Sequence, residues 1–254
     1  MVEFAHYPSL SGKVAFVTGG ATGIGAEMVS AFAKQNCKVG FVDIQEGAAT
    51  ELSHKLRLEG ATVWFCKTDV TDVEALKKAI SDCEAALGPI DVLVNNAAND
   101  TRQSWQEVTS FSWDVTMNVN LRPAFFSIQA VASAMKHRGH GSIINFGSIS
   151  WKAKHGGMPV YVTAKAAIHG LTRSFVNELG SSGVRINTVL PGWVLTERQL
   201  NEHWDNSSAS TLDQNQALKG RIQPCDTAAL VMFLASDDSR MCTGQEFTVD
   251  GGWT

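Results

Sequence analysis

Short runs of apolar residues alternate along this chain with longer segments in which apolar residues recur every three or four positions. The short runs are four to seven residues long and apolar at most positions, which is typical of strands buried on both faces of a sheet. They lie at residues 13–18, 38–42, 62–67, 90–94, 142–146, 184–190 and 246–249. The pattern therefore predicts seven strands.

Helical periodicity follows most of these runs. It passes through Val29 and Phe32 after the first strand, and it covers about 46–58, 107–137, 159–180 and 226–236, with one further helix capped by Thr71 or Asp72. Asn118 and Asn120 fall inside the longest segment. Asparagine is a poor residue for a helix interior, so a buried asparagine there predicts a kink or a bound water. Residues 193–222 are polar and predicted to be irregular.

Alternation of strands with helices predicts an α/β fold, with a parallel sheet covered by helices on both faces. With 254 residues and neither linkers nor repeats, the chain is interpreted as one doubly wound, Rossmann-type domain over residues 1–254. Ligands bind such sheets outside the carboxyl ends of the strands. Several polar or glycine-containing segments follow strands directly, which indicates a site at that edge.

Composition removes several classes of function. The net charge of −4 favours neither a nucleic acid nor an anionic membrane as partner, and no apolar run is long enough to span a membrane. A secretory leader has a basic region followed by an apolar one. The first residues of this chain are acidic instead, so no secretory leader is expected. The five cysteines are dispersed, which indicates reduced thiols in a cytoplasmic protein and neither disulfides nor a metal site.

A glycine-rich turn joins the first strand to the first helix. It contains Gly19, Thr22, Gly23, Ile24 and Gly25 in a G-x-x-x-G-x-G spacing. Glycines in this context allow the backbone to approach a pyrophosphate, and the helix N-terminus supplies N–H donors. An ordinary flexible loop is the alternative.

The carboxylate that ends the second strand bears on the choice of cofactor. Asp43 lies eighteen positions after Gly25 and no arginine follows it. A carboxylate there accepts hydrogen bonds from ribose hydroxyls and repels a 2′-phosphate, so NAD is expected rather than NADP. Asp69, at the end of the third strand, is placed to meet an adenine amino group. Either aspartate could instead simply end a strand or form a turn.

Tyr161 and Lys165 are candidates for acid–base chemistry, since residues four apart on a helix lie on one face. An ammonium about 4 Å away would favour the phenolate by on the order of 4 kcal/mol before desolvation. Tyr161 could then act as a base near neutral pH, with the hydroxyl of Ser148 holding the reacting oxygen. The alternative is a half-buried tyrosine beside a solvated lysine.

Taken together, these motifs resemble the short-chain dehydrogenase/reductase family over essentially the whole chain. The matches are T-G-x-x-x-G-x-G at 18–25, N-N-A at 95–97, N-L at 120–121, Ser148, Y-x-x-x-K at 161–165 and P-G-x-x-x-T at 191–196. Ala98 departs from the glycine usual in the family. The resemblance implies an NAD-dependent enzyme acting on CH–OH groups, commonly a homotetramer or dimer built on the helices near 107–137 and 159–180.

The resemblance also implies roles for individual residues. Tyr161 would be the catalytic base, Lys165 would tune it and hold the nicotinamide ribose, Ser148 would polarise the substrate oxygen, and Asn120 would anchor a water of a proton relay. Thr196 would hold the carboxamide. The remaining residues expected at the cofactor are Ile44, Val70, Asn96, Ala97, Ala98, Pro191, Gly192 and Val194, with Asp69 and the glycine turn.

A narrower likeness is to bacterial NAD-dependent aldose 1-dehydrogenases of the D-xylose dehydrogenase type, carried by segments such as Phe146 to Trp151 and the C-terminal Gly251-Gly252-Trp253. It implies a sugar as small-molecule substrate under a polar lid at about 193–222. The residues expected to contact substrate are Asn99, Ser148, Ser150, Trp151, Tyr161, Trp193 and Arg198.

Three alternatives remain open at this point. The substrate could be another secondary alcohol, a polyol or a ketone. The chain could be an NAD-binding scaffold without activity, and the polar lid could be a solvated loop. His155 and His203 are interpreted as surface histidines.

Overall fold

The computed structural model describes residues 5–254. The expectation of no leader rests partly on residues 1–4, which lie outside the described residues. Within residues 5–254, seven parallel strands form one sheet in the order β3-β2-β1-β4-β5-β6-β7. The strands are β1 Val14–Thr18, β2 Lys38–Asp43, β3 Val63–Lys67, β4 Val92–Asn95, β5 Gly141–Phe146, β6 Val184–Pro191 and β7 Glu246–Val249. The predicted α/β fold with a doubly wound parallel sheet is confirmed.

Helices connect the strands and cover both faces of the sheet. They are α1 Gly23–Lys34, α2 Glu46–Leu58, α3 Val73–Leu87, α4 Ser110–Asn120, α5 Arg122–Arg138, α6 Pro159–Gly180, α7 Glu197–Glu202, α8 Asn206–Asn215 and α9 Pro224–Ala235. Of the two residues considered for the cap of α3, Asp72 is the one whose side chain accepts the cap hydrogen bond, from the backbone N–H of Ala75 at 3.0 Å.

The predicted long helix over 107–137 is two helices. α4 ends at Asn120 and α5 begins at Arg122, with Pro123 in its first turn. Asn120 is buried, and its side-chain amide donates to the Thr116 carbonyl and to the Asn99 carbonyl outside the helix, both at 2.9 Å. A buried asparagine that bonds outside its own helix accounts for the predicted kink.

The prediction that residues 193–222 are irregular is wrong. They contain α7 and α8, and each helix starts at a polar residue whose side chain caps it: Thr196 accepts from the Gln199 N–H at 3.2 Å, and Asp205 accepts from the Ser208 N–H at 2.7 Å. Both helices are short and mostly polar, so hydrophobic periodicity carries little signal, whereas the caps themselves are recognisable from sequence.

The core consists of one apolar layer on each face of the sheet. Along β1, Ala15 and Val17 pack towards α1 and α9, while Val14 and Phe16 pack towards α3 and α5. Most strand residues in these layers are apolar, but β6 carries Arg185, Asn187 and Thr188 within the strand, and Asn187 and Thr188 are buried. No helix among residues 5–254 is both long and apolar enough to span a lipid bilayer.

Candidate active site

A cleft of about 1500 Å³ lies along the carboxyl ends of the strands. It is lined by all of the cofactor-site residues predicted from sequence, which are Gly19, Thr22, Gly23, Ile24, Gly25, Asp43, Ile44, Asp69, Val70, Asn96, Ala97, Ala98, Tyr161, Lys165, Pro191, Gly192, Val194 and Thr196. They converge because parallel strands end at the same edge of a sheet.

The glycine turn between β1 and α1 is shaped by close backbone contacts. Gly19 and Gly23 have φ values of +67° and +56°, which side chains disfavour. A Cβ atom on Gly25 would lie 1.8 Å from the Gly19 carbonyl oxygen. The side-chain amide of Asn96 donates to the carbonyls of Thr18 at 3.1 Å and Gly19 at 2.9 Å. The turn therefore presents bare backbone and the α1 N-terminus to the cleft, which suits a pyrophosphate.

Asp43 is buried at the end of β2, and both of its oxygens accept backbone hydrogen bonds. One comes from the Ala21 N–H and the other from the Gln45 N–H, each at 2.9 Å. The carboxylate thus orders the glycine turn as well as facing the cleft. Ile44 beside it is 63% exposed and lines the cleft, where an adenine ring would cover it. These residues fit a nicotinamide dinucleotide.

Asp69 lies where its adenine contact was expected, and it also forms the predicted turn. Its Oδ1 accepts from the backbone N–H of Thr71 at 2.9 Å and from the Thr71 hydroxyl at 2.8 Å. The side chain is exposed at the mouth of the cleft next to Val70, which is buried. The turn interpretation of Asp69 is therefore confirmed, and its contact with an adenine stays a prediction.

Ser148, Tyr161 and Lys165 meet at the end of β5. Ser148 follows the strand, and its hydroxyl hydrogen-bonds Tyr161. Its oxygen also accepts from the Ser150 N–H at 3.1 Å. Lys165 is 3% exposed, donates from Nζ to the Phe146 carbonyl at 2.9 Å, and lies 5.8 Å from the centre of the Tyr161 ring. The three side chains therefore lie together in the lining of the cleft.

The pKa of Tyr161 differs from the sequence-based expectation. Desolvation raises it to about 12, the negative charge of Asp100 adds to this increase, and the hydrogen bond from Ser148 and the charge of Arg198 oppose it. Burial also lowers the pKa of Lys165 to about 8. The nearby lysine considered by itself predicted a lowered pKa for Tyr161. Its pKa is raised instead, because burial desolvates both side chains and the sequence does not show that burial.

Asn120 does not itself line the cleft. Its Oδ1 accepts from the Asn99 N–H at 2.9 Å and its amide returns a bond to the Asn99 carbonyl, so it fixes the loop after β4. A second buried network ties β4 to β5: Asn95 donates to Asn145 at 2.8 Å and accepts from the Ser127 hydroxyl at 2.6 Å. These side chains hold the ends of β4 and β5 together.

The predicted substrate residues fall into two groups. Asn99, Ser148, Ser150, Tyr161, Trp193 and Arg198 line one end of the cleft. Ser150 is 3% exposed, and its buried hydroxyl has no hydrogen-bond partner within residues 5–254. Trp151 is absent from the described lining of the cleft, and the ammonium of Lys152 lies 5.2 Å from the centre of its ring. The substrate role given to Trp151 is therefore not supported by its position.

The cleft lining also contains polar residues that were not predicted at the site, among them His155, Asp100 and Gln199. His155 is half-buried, and burial together with the charge of Arg102 lowers its pKa. Asp100 and Gln199 meet across the cleft at 2.7 Å. Asp100 lies beside Asn99 in the segment that follows β4, which is the one signal in the sequence that could have identified it.

A family model described as enoyl-(acyl carrier protein) reductase matches residues 19–254. The chain is 44% identical over 250 residues to D-xylose 1-dehydrogenase of Caulobacter vibrioides, covering 98% of each chain. It is 42% identical over 249 residues to a probable galactose dehydrogenase of Rhizobium meliloti, covering 98% of this chain and 97% of that one.

Solved structures show the same fold with nicotinamide cofactors. A blue fluorescent protein from a metagenomic library, in complex with NADPH, superposes with a TM-score of 0.90 at 35% identity, over 97% of this chain and 99% of that one. A 7α-hydroxysteroid dehydrogenase complexed with NADH and a 7-oxo bile acid gives 0.93 at 29% identity, over 98% of this chain and 96% of that one. Similar proteins therefore hold either cofactor.

Proposed function

Because the chain belongs to the short-chain dehydrogenase/reductase family, we propose that it oxidises an aldose at C1 to the aldonolactone with NAD. The chain is an oxidoreductase acting on CH–OH groups. The observation that carries the sugar proposal is the substrate end of the cleft, which combines an indole ring with many hydrogen-bonding side chains. These are Asn99, Ser148, Ser150, His155, Trp193, Gln199 and Arg198. Sugars present hydroxyls at their edges and C–H faces that pack on indoles.

In this proposal the residues at the floor of the cleft manage the proton. The Tyr161 oxygen takes the proton of the anomeric hydroxyl while the Ser148 hydroxyl holds the same substrate oxygen. As the C1–H bond breaks, its electron pair leaves as hydride and the C1–O bond becomes a carbonyl. The dinucleotide supplies a hydride acceptor when bound. The ammonium of Lys165 stabilises the phenolate, and the Asn120 amide holds the Asn99 loop that borders the substrate.

A panel assay tests the reaction. Purified protein and NAD are mixed with aldoses, polyols, steroids and simple secondary alcohols, and NADH absorbance is followed. Turnover of one or two aldoses without turnover of the alcohols is the expected result. Turnover of a polyol or steroid alone would rule out the aldose proposal and leave the assignment as an oxidoreductase of this family unchanged. No turnover on any substrate, with NAD still bound, would favour a non-catalytic scaffold.

Cofactor preference tests the role given to Asp43. A buried carboxylate at the end of β2 repels a 2′-phosphate, so kcat/KM for NAD is expected to exceed that for NADP by at least about tenfold. Steady-state rates with each cofactor at a fixed aldose concentration measure the ratio. A ratio that favours NADP would remove both the NAD proposal and this role for Asp43.

The rate of aldose oxidation is expected to rise with pH. Since Tyr161 must be deprotonated to accept a proton and its pKa is raised to about 12, its reactive fraction grows roughly tenfold per unit of pH well below that value. Loss of the proton from Lys165, whose pKa is lowered to about 8, opposes this increase at higher pH. The pH profile of kcat/KM with saturating NAD measures the trend, and a rate that falls from pH 6 to 8 would contradict it.

Two further features support parts of the proposal. The apolar side chains Phe111, Trp113 and Phe125 on α4 and α5 are 78%, 41% and 40% exposed, which supports a homo-oligomer built on these helices. The five cysteines are free thiols, which supports a cytoplasmic location.

A further inference from the structure

Asp100 joins the two sides of the substrate end of the cleft. It lies in the loop after β4, and its side chain is 22% exposed. Oδ1 lies 3.1 Å from Nη2 of Arg198, and Oδ2 accepts a hydrogen bond from Nε2 of Gln199 at 2.7 Å. Both partners lie on α7, the first helix of the lid. The Asp100 carboxylate therefore holds this helix to the loop after β4, together with a longer hydrogen bond from Nη2 of Arg198 to Oδ1 of Asn99 at 3.4 Å.

The link continues to the aromatic surface of the cleft. Oε1 of Gln199 accepts from the indole N–H of Trp193 at 3.0 Å. The Trp193 ring packs edge-on against Trp204 with centroids 6.2 Å apart, and the Arg102 guanidinium lies 5.8 Å from the ring centre. The orientation of Trp193 is therefore fixed through Gln199, whose amide is in turn fixed by Asp100.

We infer that Asp100 is a positioning residue, which holds α7 and the Trp193 indole against the substrate end of the cleft. Both carboxylate oxygens already accept hydrogen bonds or ion pairs from α7, so the residue acts on a bound sugar through the lid and not by direct contact. Charge-assisted hydrogen bonds of this length are stronger than neutral ones and hold geometry well. The expected change in KM rests on the proposed function, because KM is measured with an aldose.

The charge of Asp100 also reaches the proton-transfer groups. It raises the pKa values of both Tyr161 and Lys165, whereas Arg198 lowers that of Tyr161. The titratable or charged groups that line this part of the cleft are Asp100 and Arg102 from the β4 loop, His155 from the segment before α6, Lys165 from α6, and Glu197, Arg198 and Glu202 from α7. A neutral residue at position 100 leaves the positive charge of Arg198 less compensated and shifts the pKa of Tyr161 downward.

The kinetic test uses Asp100→Asn, which keeps the shape and removes the charge. We expect KM for the aldose to rise by about tenfold, because an ordered lid is lost, and the binding constant for NAD to stay within about twofold. The rising limb of the pH profile should move to lower pH, which a purely structural role would not cause. An unchanged KM and profile, or a fall in kcat alone, would overturn the inference.

Asp82→Asn is the matched control. Asp82 makes a similarly short ion pair, 2.6 Å from Lys78, on α3, and neither residue lines the cleft. The control should leave KM, NAD affinity and the pH profile unchanged. A tenfold rise in KM in this variant as well would mean that loss of any ion pair raises KM, and would count against a specific role for Asp100.

Hydrogen exchange separates this inference from the proposed function. Backbone amides of α7 should exchange on the order of tenfold faster in Asp100→Asn than in the unmodified chain or in Asp82→Asn, because α7 loses the ion pair and weakens the hydrogen bond made by Asp100, and keeps the longer bond from Arg198 to Asn99 at 3.4 Å. Exchange rates equal to those of the unmodified chain would overturn the inference, whatever the substrate is. If no aldose is turned over by the unmodified chain but exchange is accelerated as expected, the proposed substrate fails and the link stands.

Discussion

Turnover of the aldose is expected to fall by roughly 10² to 10⁴ when Tyr161 is replaced by phenylalanine, which is the range contributed by a positioned acid or base. The variant keeps the aromatic ring that packs beside Lys165 and removes only the oxygen that accepts the substrate proton. NAD affinity should change by less than about twofold, since the glycine turn and Asp43 are untouched. NADH formation under saturating NAD, with calorimetric titration of NAD, measures both quantities.

The other tyrosine of the chain supplies the control. Tyr7 is half-buried, is not among the described residues that line the cleft, and contributes its backbone N–H to a hydrogen bond with Gln35 at 2.9 Å. Tyr7→Phe should retain normal turnover. Retention of turnover in Tyr161→Phe would rule out Tyr161 as the base, whereas loss in both variants would indicate damage to the fold instead of loss of the base.

The second large effect is expected from Gly25→Ala. The added Cβ would lie 1.8 Å from the Gly19 carbonyl oxygen and 2.9 Å from the Asn96 amide nitrogen, so the turn must move. Overpacking of this kind costs about 1–3 kcal/mol in unfolding free energy. Because the displaced backbone is the part that faces the pyrophosphate, NAD affinity should fall by at least about tenfold. Thermal unfolding with and without NAD measures both.

Gly47→Ala provides the comparison for this substitution. Gly47 lies in α2, is exposed, and an added Cβ there would meet nothing within 4 Å. Alanine should stabilise this helix by about 0.5–1 kcal/mol and leave NAD affinity unchanged. Equal NAD affinity in the Gly25 and Gly47 variants would show that the close packing of the glycine turn does not support the cofactor site.

Local sequence was sufficient for the fold and for bringing the residues predicted at the cofactor to one cleft, while their contacts with a cofactor stay a prediction. The seven apolar runs became strands of one parallel sheet, and their boundaries differ from the prediction by two residues or fewer. Gly19, Asp43 and Tyr161 each follow or face a strand end, and all strand ends lie at one edge. Residue type and distance from a strand therefore fixed their position without knowledge of long-range contacts.

The lid was the weakest part of the prediction. Residues 193–222 were expected to be irregular, yet Thr196 and Asp205 cap two helices there. Both helices are short and lack a strong apolar stripe. A side-chain cap begins each of them, and α7 also contacts the loop after β4 through Arg198 and Gln199. A periodicity argument detects neither.

The sequence by itself determined the sheet, the glycine turn, the end of β2 at Asp43, and the pairing of Tyr161 with Lys165 on one helix face, because each follows from neighbours a few positions apart. Only the tertiary structure decided which side of the chain Trp151 faces, that Asp100 reaches α7, and that burial raises the pKa of Tyr161 to about 12. The contact between Asp100 and α7 joins residues nearly a hundred positions apart, and the pKa shift of Tyr161 depends on its burial. Such quantities exist only once the chain has folded.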